Sequence, residues 1–150
     1  MLLKIRRSIH IWSASAVLSF ACSSGDEVAR VPAPSAQVDA VLLEWNGGAT
    51  TSFGYEVFIV PHGQRASSGI QVAALYGAVR NDSAYGVNLK WPTPDRLVGE
   101  YAQARQARVL APIVNVGGER VRVSLRSGVR DSAAPGGGML YNLGRGRAKR

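Results

Sequence analysis

The chain has 150 residues, the length of one domain with extensions, and its hydrophobic (46%) and charged (19%) fractions are ordinary for a globular protein. Its formal net charge of +8 comes mostly from the two ends, because residues 22–143 hold 11 basic against 10 acidic side chains. This balance does not support a basic folded surface for nucleic acid, so no nucleic-acid partner is expected. The single cysteine excludes an internal disulfide framework.

Residues 1–21 have the pattern of an export signal. Three basic residues, Lys4, Arg6 and Arg7, precede an apolar run over residues 9–21 that ends in small residues. The run is too short and too rich in serine for a transmembrane helix. We therefore expect an exported protein.

The only cysteine, Cys22, follows this signal directly. Ser19-Phe20-Ala21-Cys22 resembles the lipobox of bacterial lipoproteins, although Leu18 stands one place earlier than in the usual pattern. The resemblance implies that Cys22 carries lipid such as palmitate and anchors the chain to a membrane of the cell envelope. Ser23 implies the outer membrane, facing the periplasm, if the cell has two membranes. The same residues also fit ordinary signal cleavage, so a secreted or periplasmic soluble protein is the alternative.

The rest of the chain divides by composition. Residues 22–36 are rich in Ser, Gly, Pro and Ala and lack an apolar period, which predicts a flexible tether. Residues 37–143 form the predicted β-rich domain, and residues 144–150 form a basic tail. Both the tether and the tail are expected to be disordered.

A predicted β-hairpin over residues 44–61 is the centre of the domain. Two strand-like runs, residues 38–45 and 55–60, flank a turn that begins with Asn46-Gly47, where both residues tolerate positive φ. The connection holds three consecutive hydroxyl side chains and several glycine amides, which could bind a partner's backbone or an anion. Alternatively, the hydroxyls bond to their own loop. The candidate partner-binding residues are Asn46, Gly47, Gly48, Thr50, Thr51 and Ser52.

The same hairpin carries a family resemblance. The run Gly48-Ala49-Thr50-Thr51 before the second strand, together with residues 90–98 (KWPTPDRLV), is similar to a group of small uncharacterised exported bacterial proteins. The likeness covers about residues 38–101. Many members have Cys where this chain has Gly47, so no thiol chemistry is implied here. The resemblance implies no activity.

Five further segments have strand character: residues 70–79, 86–91, 96–101, 109–116 and 119–126. Residues 102–108 fit a helix, an irregular segment or a strand, and Pro112 indicates an edge strand or a break. About seven strands predict an all-β or β-rich antiparallel sandwich or partly open barrel. The predicted core residues are Val41, Leu43, Trp45, Val57, Ile59, Val87, Leu89, Trp91, Leu97, Val121, Val123 and Leu125.

The last strand, residues 119–126, alternates apolar residues with Arg120, Arg122 and Arg126. This pattern predicts one buried and one solvent-facing side. The arginine row could meet a phosphate or an acidic partner, or simply discourage pairing at a sheet edge.

Catalytic chemistry has few candidates. His62 is the only histidine outside the signal, and no set of zinc ligands, phosphate loop or nucleophile elbow is present, so no cofactor or metal is expected. The sequence favours a non-catalytic binding or accessory module of the envelope with a possible envelope protein partner. The alternatives are a small hydrolase using His62, Asp95 or Glu100, with Asp82 or Asp131 as further partners of His62, and a purely structural protein.

Overall fold

The computed structural model describes residues 25–46, 51–78 and 86–129, which fold as a β-sandwich with nine strands in that part of the chain. The strands are β1 (Asp26–Pro32), β2 (Val38–Asn46), β3 (Phe53–Pro61), β4 (Ile70–Tyr76), β5 (Asn88–Thr93), β6 (Arg96–Glu100), β7 (Gln106–Val109), β8 (Ile113–Val116) and β9 (Glu119–Arg126). A single turn of 3-10 helix, Ala66–Ser68, lies between β3 and β4.

The strands form two open sheets. One has the order β1-β2-β3-β4-β7 and the other β5-β6-β9-β8. Neighbouring strands are antiparallel except β6 and β9, which run parallel. The predicted β-rich fold is confirmed, with nine described strands rather than about seven.

The main core lies between the sheets and takes alternate side chains from each strand. Leu42, Val57 and Ile59 from the first sheet pack with Leu97 and Val121 from the second, and all five are at most 1% exposed. The predicted core residues Val87, Leu89 and Val123 are also buried there. Trp91 and Leu125 are partly buried and pack against the cluster.

The apolar side chains of β2 are buried on both faces of its sheet. Val41 and Leu43 are buried, but they belong to a second cluster with Phe58, Val60 and Ala66. Side chains alternate along a strand, so this cluster lies on the side of β2 and β3 away from Leu42. Because the apolar run of β2 has no polar alternation, it fits a strand buried on both faces, and its period could not choose between them.

The predicted tether is also corrected. Residues 26–32 form β1, which pairs antiparallel with β2 from Asp26↔Glu44 to Pro32↔Asp39. Trp91 Nε1 donates a hydrogen bond to the Val31 carbonyl at 3.0 Å, joining β1 to the second sheet. These long-range contacts order a segment whose local composition carries no strand signal.

The Gly-Gly hairpin between β8 and β9 is confirmed, with Gly117 and Gly118 at φ of +56° and +81°. Of the three alternatives for residues 102–108, the structure shows an irregular segment followed by the strand β7. The predicted export signal, Cys22 and the basic tail lie outside the described residues. Within the described ranges, no helix is long and apolar enough to cross a bilayer.

Candidate functional site

The predicted partner-binding loop is described only at its ends. Asn46 closes β2 opposite Phe53 of β3, which confirms the hairpin. Thr51 is exposed, and the backbone amide of Ser52 donates to the Tyr76 hydroxyl at 3.3 Å. Gly47, Gly48 and Thr50 lie outside the described residues. Binding through this loop stays a prediction.

His62 pairs with Asp39, which sequence reasoning had not proposed. His62 Nδ1 lies 2.7 Å from Asp39 Oδ1, while the Gly63 amide and Arg30 Nη1 donate to Asp39 Oδ2 at 2.9 and 2.8 Å. The β2–β3 register places Asp39 opposite Val60, two residues before His62. A lone Asp inside an apolar strand was the signal for a buried, bonded carboxylate.

Burial at Asp39 acts to raise the carboxyl pKa, but the Gly63, His62 and Arg30 hydrogen bonds outweigh it and hold the pKa below its ordinary value. The hydrogen bonds that Arg30 donates to Glu27 raise the pKa of its guanidinium; burial opposes this shift, and the hydrogen bond to Asp39 adds to it. Asp39 and Arg30 therefore stay charged, and their hydrogen bonds join β1, β2 and the residues after β3 at one end of the sheet.

Asp95 and Glu100, the other two proposed hydrolase residues, are separated in the fold. They flank opposite ends of β6, about 16 Å apart at about 3.3 Å per residue. Asp95 binds Arg122 at 2.5 Å and accepts from Thr93 Oγ1 at 2.8 Å, whereas Glu100 pairs with Arg126 and Lys90. His62 sits at the end of β3 in the other sheet. The three residues do not form one proton-transfer site.

The outer surface of the four-stranded sheet gathers cations. We call the set Lys90, Arg96, Arg120, Arg122 and Arg126 the basic face. Arg96 stands directly beside Arg122 in the parallel β6–β9 register, with Val98 beside Ser124 and Glu100 beside Arg126. Five of the 11 basic residues in the range 22–143 thus lie on one face, with Asp95 and Glu100 as the carboxylates among them.

A groove of 590 Å³ runs along this face. Val98 and Ser124 line it together with Trp91 and the cations Lys90, Arg96 and Arg126. A neighbouring hollow of 230 Å³ is lined by Arg96, Arg122, Val123 and Ser124. The lining of the groove therefore combines a few apolar side chains with several cationic ones.

The two carboxylates of the basic face orient its arginines without neutralising it. The Glu100 side chain is 4% exposed; Arg126 donates to Oε1, and Lys90 Nζ lies 3.0 Å from Oε2 without hydrogen-bond geometry. The Thr93 hydroxyl, and then Arg122, lower the pKa of the exposed Asp95 carboxyl, so Asp95 stays charged beside Arg122. Five cations against two anions leave the face positive.

The alternation in β9 predicts the row of outward arginines, but it does not predict that Arg96 lies beside them. That placement depends on the parallel pairing of β6 with β9, which no local pattern signals. Among the described residues, no group of three or more His, Cys, Asp or Glu side chains could hold a metal ion. Comparison with family models, curated proteins and solved structures finds no match to this chain.

Proposed function

We propose that this protein is a non-catalytic binding module of the cell envelope, held at a membrane by lipid on Cys22, and that its basic face binds an acidic surface of an envelope protein. The observation that carries the proposal is the side-by-side placement of Arg96 and Arg122, which both line the 230 Å³ hollow beside the groove. Like charges directly opposite each other in a sheet are destabilising. An acidic partner would relieve this repulsion. The arrangement therefore supports a role in binding rather than a contribution to the stability of the fold.

The exposure of the basic face supports this role. The side chains of Lys90, Arg122 and Arg126 are 53–63% exposed, so they reach a partner without rearrangement. Glu100 is buried behind Arg126 and limits the positions that this guanidinium can take. A rim of exposed charges contributes mainly to association rate and specificity, so we expect partner capture to weaken as salt rises.

The test is crosslinking in cells with a tagged chain that keeps its own leader, followed by mass spectrometry. We expect a recurrent acidic envelope protein. Arg122→Glu should reduce its capture about tenfold or more, because reversing a charge at a complementary interface adds repulsion. Arg65→Glu is the matched control: it makes the same charge change at an exposed position beside the 3-10 helix, away from the basic face.

A melting curve of each variant separates binding from folding, since Arg122 also pairs with Asp95. Arg96→Glu supplies a second reversal on the same face. Equal capture by native, Arg122→Glu and Arg96→Glu chains would overturn the assignment of the basic face. Capture of only abundant proteins by the native chain would count against the binding-module role itself.

A further inference from the structure

A second pocket lies on the outer surface of the other sheet, beside the predicted partner-binding loop. The sheet register aligns two cross-strand rows there. One row runs Trp45–Gly54–Tyr76–Gln106 across β2, β3, β4 and β7. The next row on the same face runs Leu43–Glu56–Ala74–Arg108 across the same strands. Non-neighbouring parts of the chain thus place two aromatic rings beside two opposite charges.

Small residues at the centre of both rows create the pocket. The Trp45 ring lies over Gly54, where a Cβ would come within 1.9 Å of the indole, and it stacks on Tyr76 with centroids 6.0 Å apart and 21° between planes. Ala74 lies between Glu56 and Arg108 in the second row. The resulting pocket has a volume of 240 Å³, and its lining includes the aromatic pair, Glu56, Ala74, Arg108 and Leu110.

The charges of this pocket have no partners in the part of the chain that the structure describes. The side chains of Glu56 and Arg108 make no hydrogen bond or ion pair with the described residues, although both line the same cavity. Arg108 opposes a cationic ligand and Glu56 opposes an anionic one. A neutral ligand that both donates and accepts hydrogen bonds satisfies both groups. Gln106, at the end of the aromatic row, adds an amide with the same dual capacity.

We propose that this pocket binds one ring of a neutral saccharide. A sugar ring has an apolar face for packing on an aromatic side chain, and hydroxyls that donate to a carboxylate and accept from a guanidinium. The hydrogen bond from the Ser52 amide holds the Tyr76 hydroxyl in place. This site is separate from the basic face, which lies on the other sheet, and does not depend on the function proposed for it.

The experiment is titration calorimetry of the purified chain with two neutral probes, N-acetylated chitotriose and cellotriose. We expect saturable binding of at least one trisaccharide. Arg108→Gln should weaken it about tenfold, the loss typical of one charge-assisted hydrogen bond. Trp45→Ala should weaken it further by removing the stacking surface. Trp91→Phe, on the other sheet, and Arg122→Glu, on the basic face, should leave the affinity unchanged.

Arg108 is exposed, so its variant tests the site even if Trp45→Ala does not fold. No saturable heat with either trisaccharide at about 10 mM, well above ordinary millimolar affinity, would overturn the proposal. Binding that persists unchanged in Arg108→Gln would also overturn it. The zwitterion diglycine is the competing probe, since its termini could pair with Glu56 and Arg108; binding of diglycine alone would refute the saccharide assignment.

Discussion

At the scale of single residues, Asp39 shows how a buried charge stabilises this fold. Its side chain is 1% exposed and accepts hydrogen bonds from the Gly63 amide, His62 and Arg30. These donors come from the β3–β4 connection and from β1, so one carboxylate joins three segments of the first sheet. Removing one member of such a set leaves the others unsatisfied.

Replacing this carboxylate should have a pH-dependent effect. Asp39→Asn should lower the free energy of unfolding at pH 7 by about 1–3 kcal/mol, because it leaves buried donors poorly paired. The folded pKa of Asp39 lies below its ordinary value, so its charged form favours folding above the unfolded pKa of about 3.9. That contribution is lost as the pH falls through the folded pKa.

Urea unfolding of both chains from pH 7 down to pH 2 measures this difference. The difference in the free energy of unfolding between the native chain and Asp39→Asn should narrow below about pH 4 as Asp39 becomes protonated. Asp26→Asn, at an exposed position at the start of β1, should show no such narrowing. A gap that is equal at every pH would mean that the Asp39 charge contributes nothing.

At the scale of elements, the row across β2, β3 and β4 depends on the missing side chain of Gly54. Gly54→Ala should destabilise the domain by about 1–3 kcal/mol, the usual range for overpacking, because its Cβ would overlap the Trp45 indole. In a Trp45→Ala background the same change should cost at least about 1 kcal/mol less, since the overlapping ring is gone.

Chemical unfolding of the native chain, both single variants and the double variant completes this cycle. Gly63→Ala is a useful comparison, because Gly63 has a positive φ of 73° but nothing within 4 Å of an added Cβ. It should cost about 1 kcal/mol through backbone strain alone, in either background. Independent, additive effects of Gly54→Ala and Trp45→Ala would contradict the packing argument.

Sequence patterns predicted the strands and turns that are determined by neighbouring residues in the chain. The β8–β9 hairpin follows from Gly117-Gly118, and the buried face of β9 follows from its strict alternation. The face of β2 could not be predicted, because Leu42 and Leu43 are both buried. The strand β1 could not be predicted either, since its order comes from pairing with β2 and from the Trp91 hydrogen bond.

The candidate site was predictable only in part for the same reason. The outward arginines of β9 were visible from the alternation in residues 119–126, whereas Arg96 joins them through a pairing between distant segments. Asp39 lies within an apolar strand and far from His62 in the sequence. No local pattern therefore indicates that these two side chains form a hydrogen bond. When pairing between distant segments brings side chains together, their separation in the sequence follows no regular spacing. Such clusters cannot be recognised from the sequence pattern.

At the scale of the whole molecule, the proposed lipid on Cys22 predicts where the protein is found in the cell. We expect the full-length chain to sediment with membranes and to be released by detergent, because one or more acyl chains add membrane affinity with each buried CH₂. Cys22→Ser should move the protein to the soluble fraction. Ser23→Ala, a neighbouring change that keeps the thiol, should stay with the membranes.

Cell fractionation with immunoblotting measures how each chain is distributed between the membrane and soluble fractions. Metabolic labelling with a fatty acid should label the native chain and Ser23→Ala but not Cys22→Ser. Equal distribution of all three chains between fractions, with no label, would instead support the secreted or periplasmic soluble alternative.

The strand β1 has a consequence for the distance between domain and membrane. The first strand begins at Asp26, so only a few residues separate it from a lipid on Cys22. Even fully extended, four residues span about 13 Å. The proposed lipid on Cys22 would therefore hold the domain at the height of the lipid headgroups, where it would meet only partners that stand on, or reach down to, the same membrane.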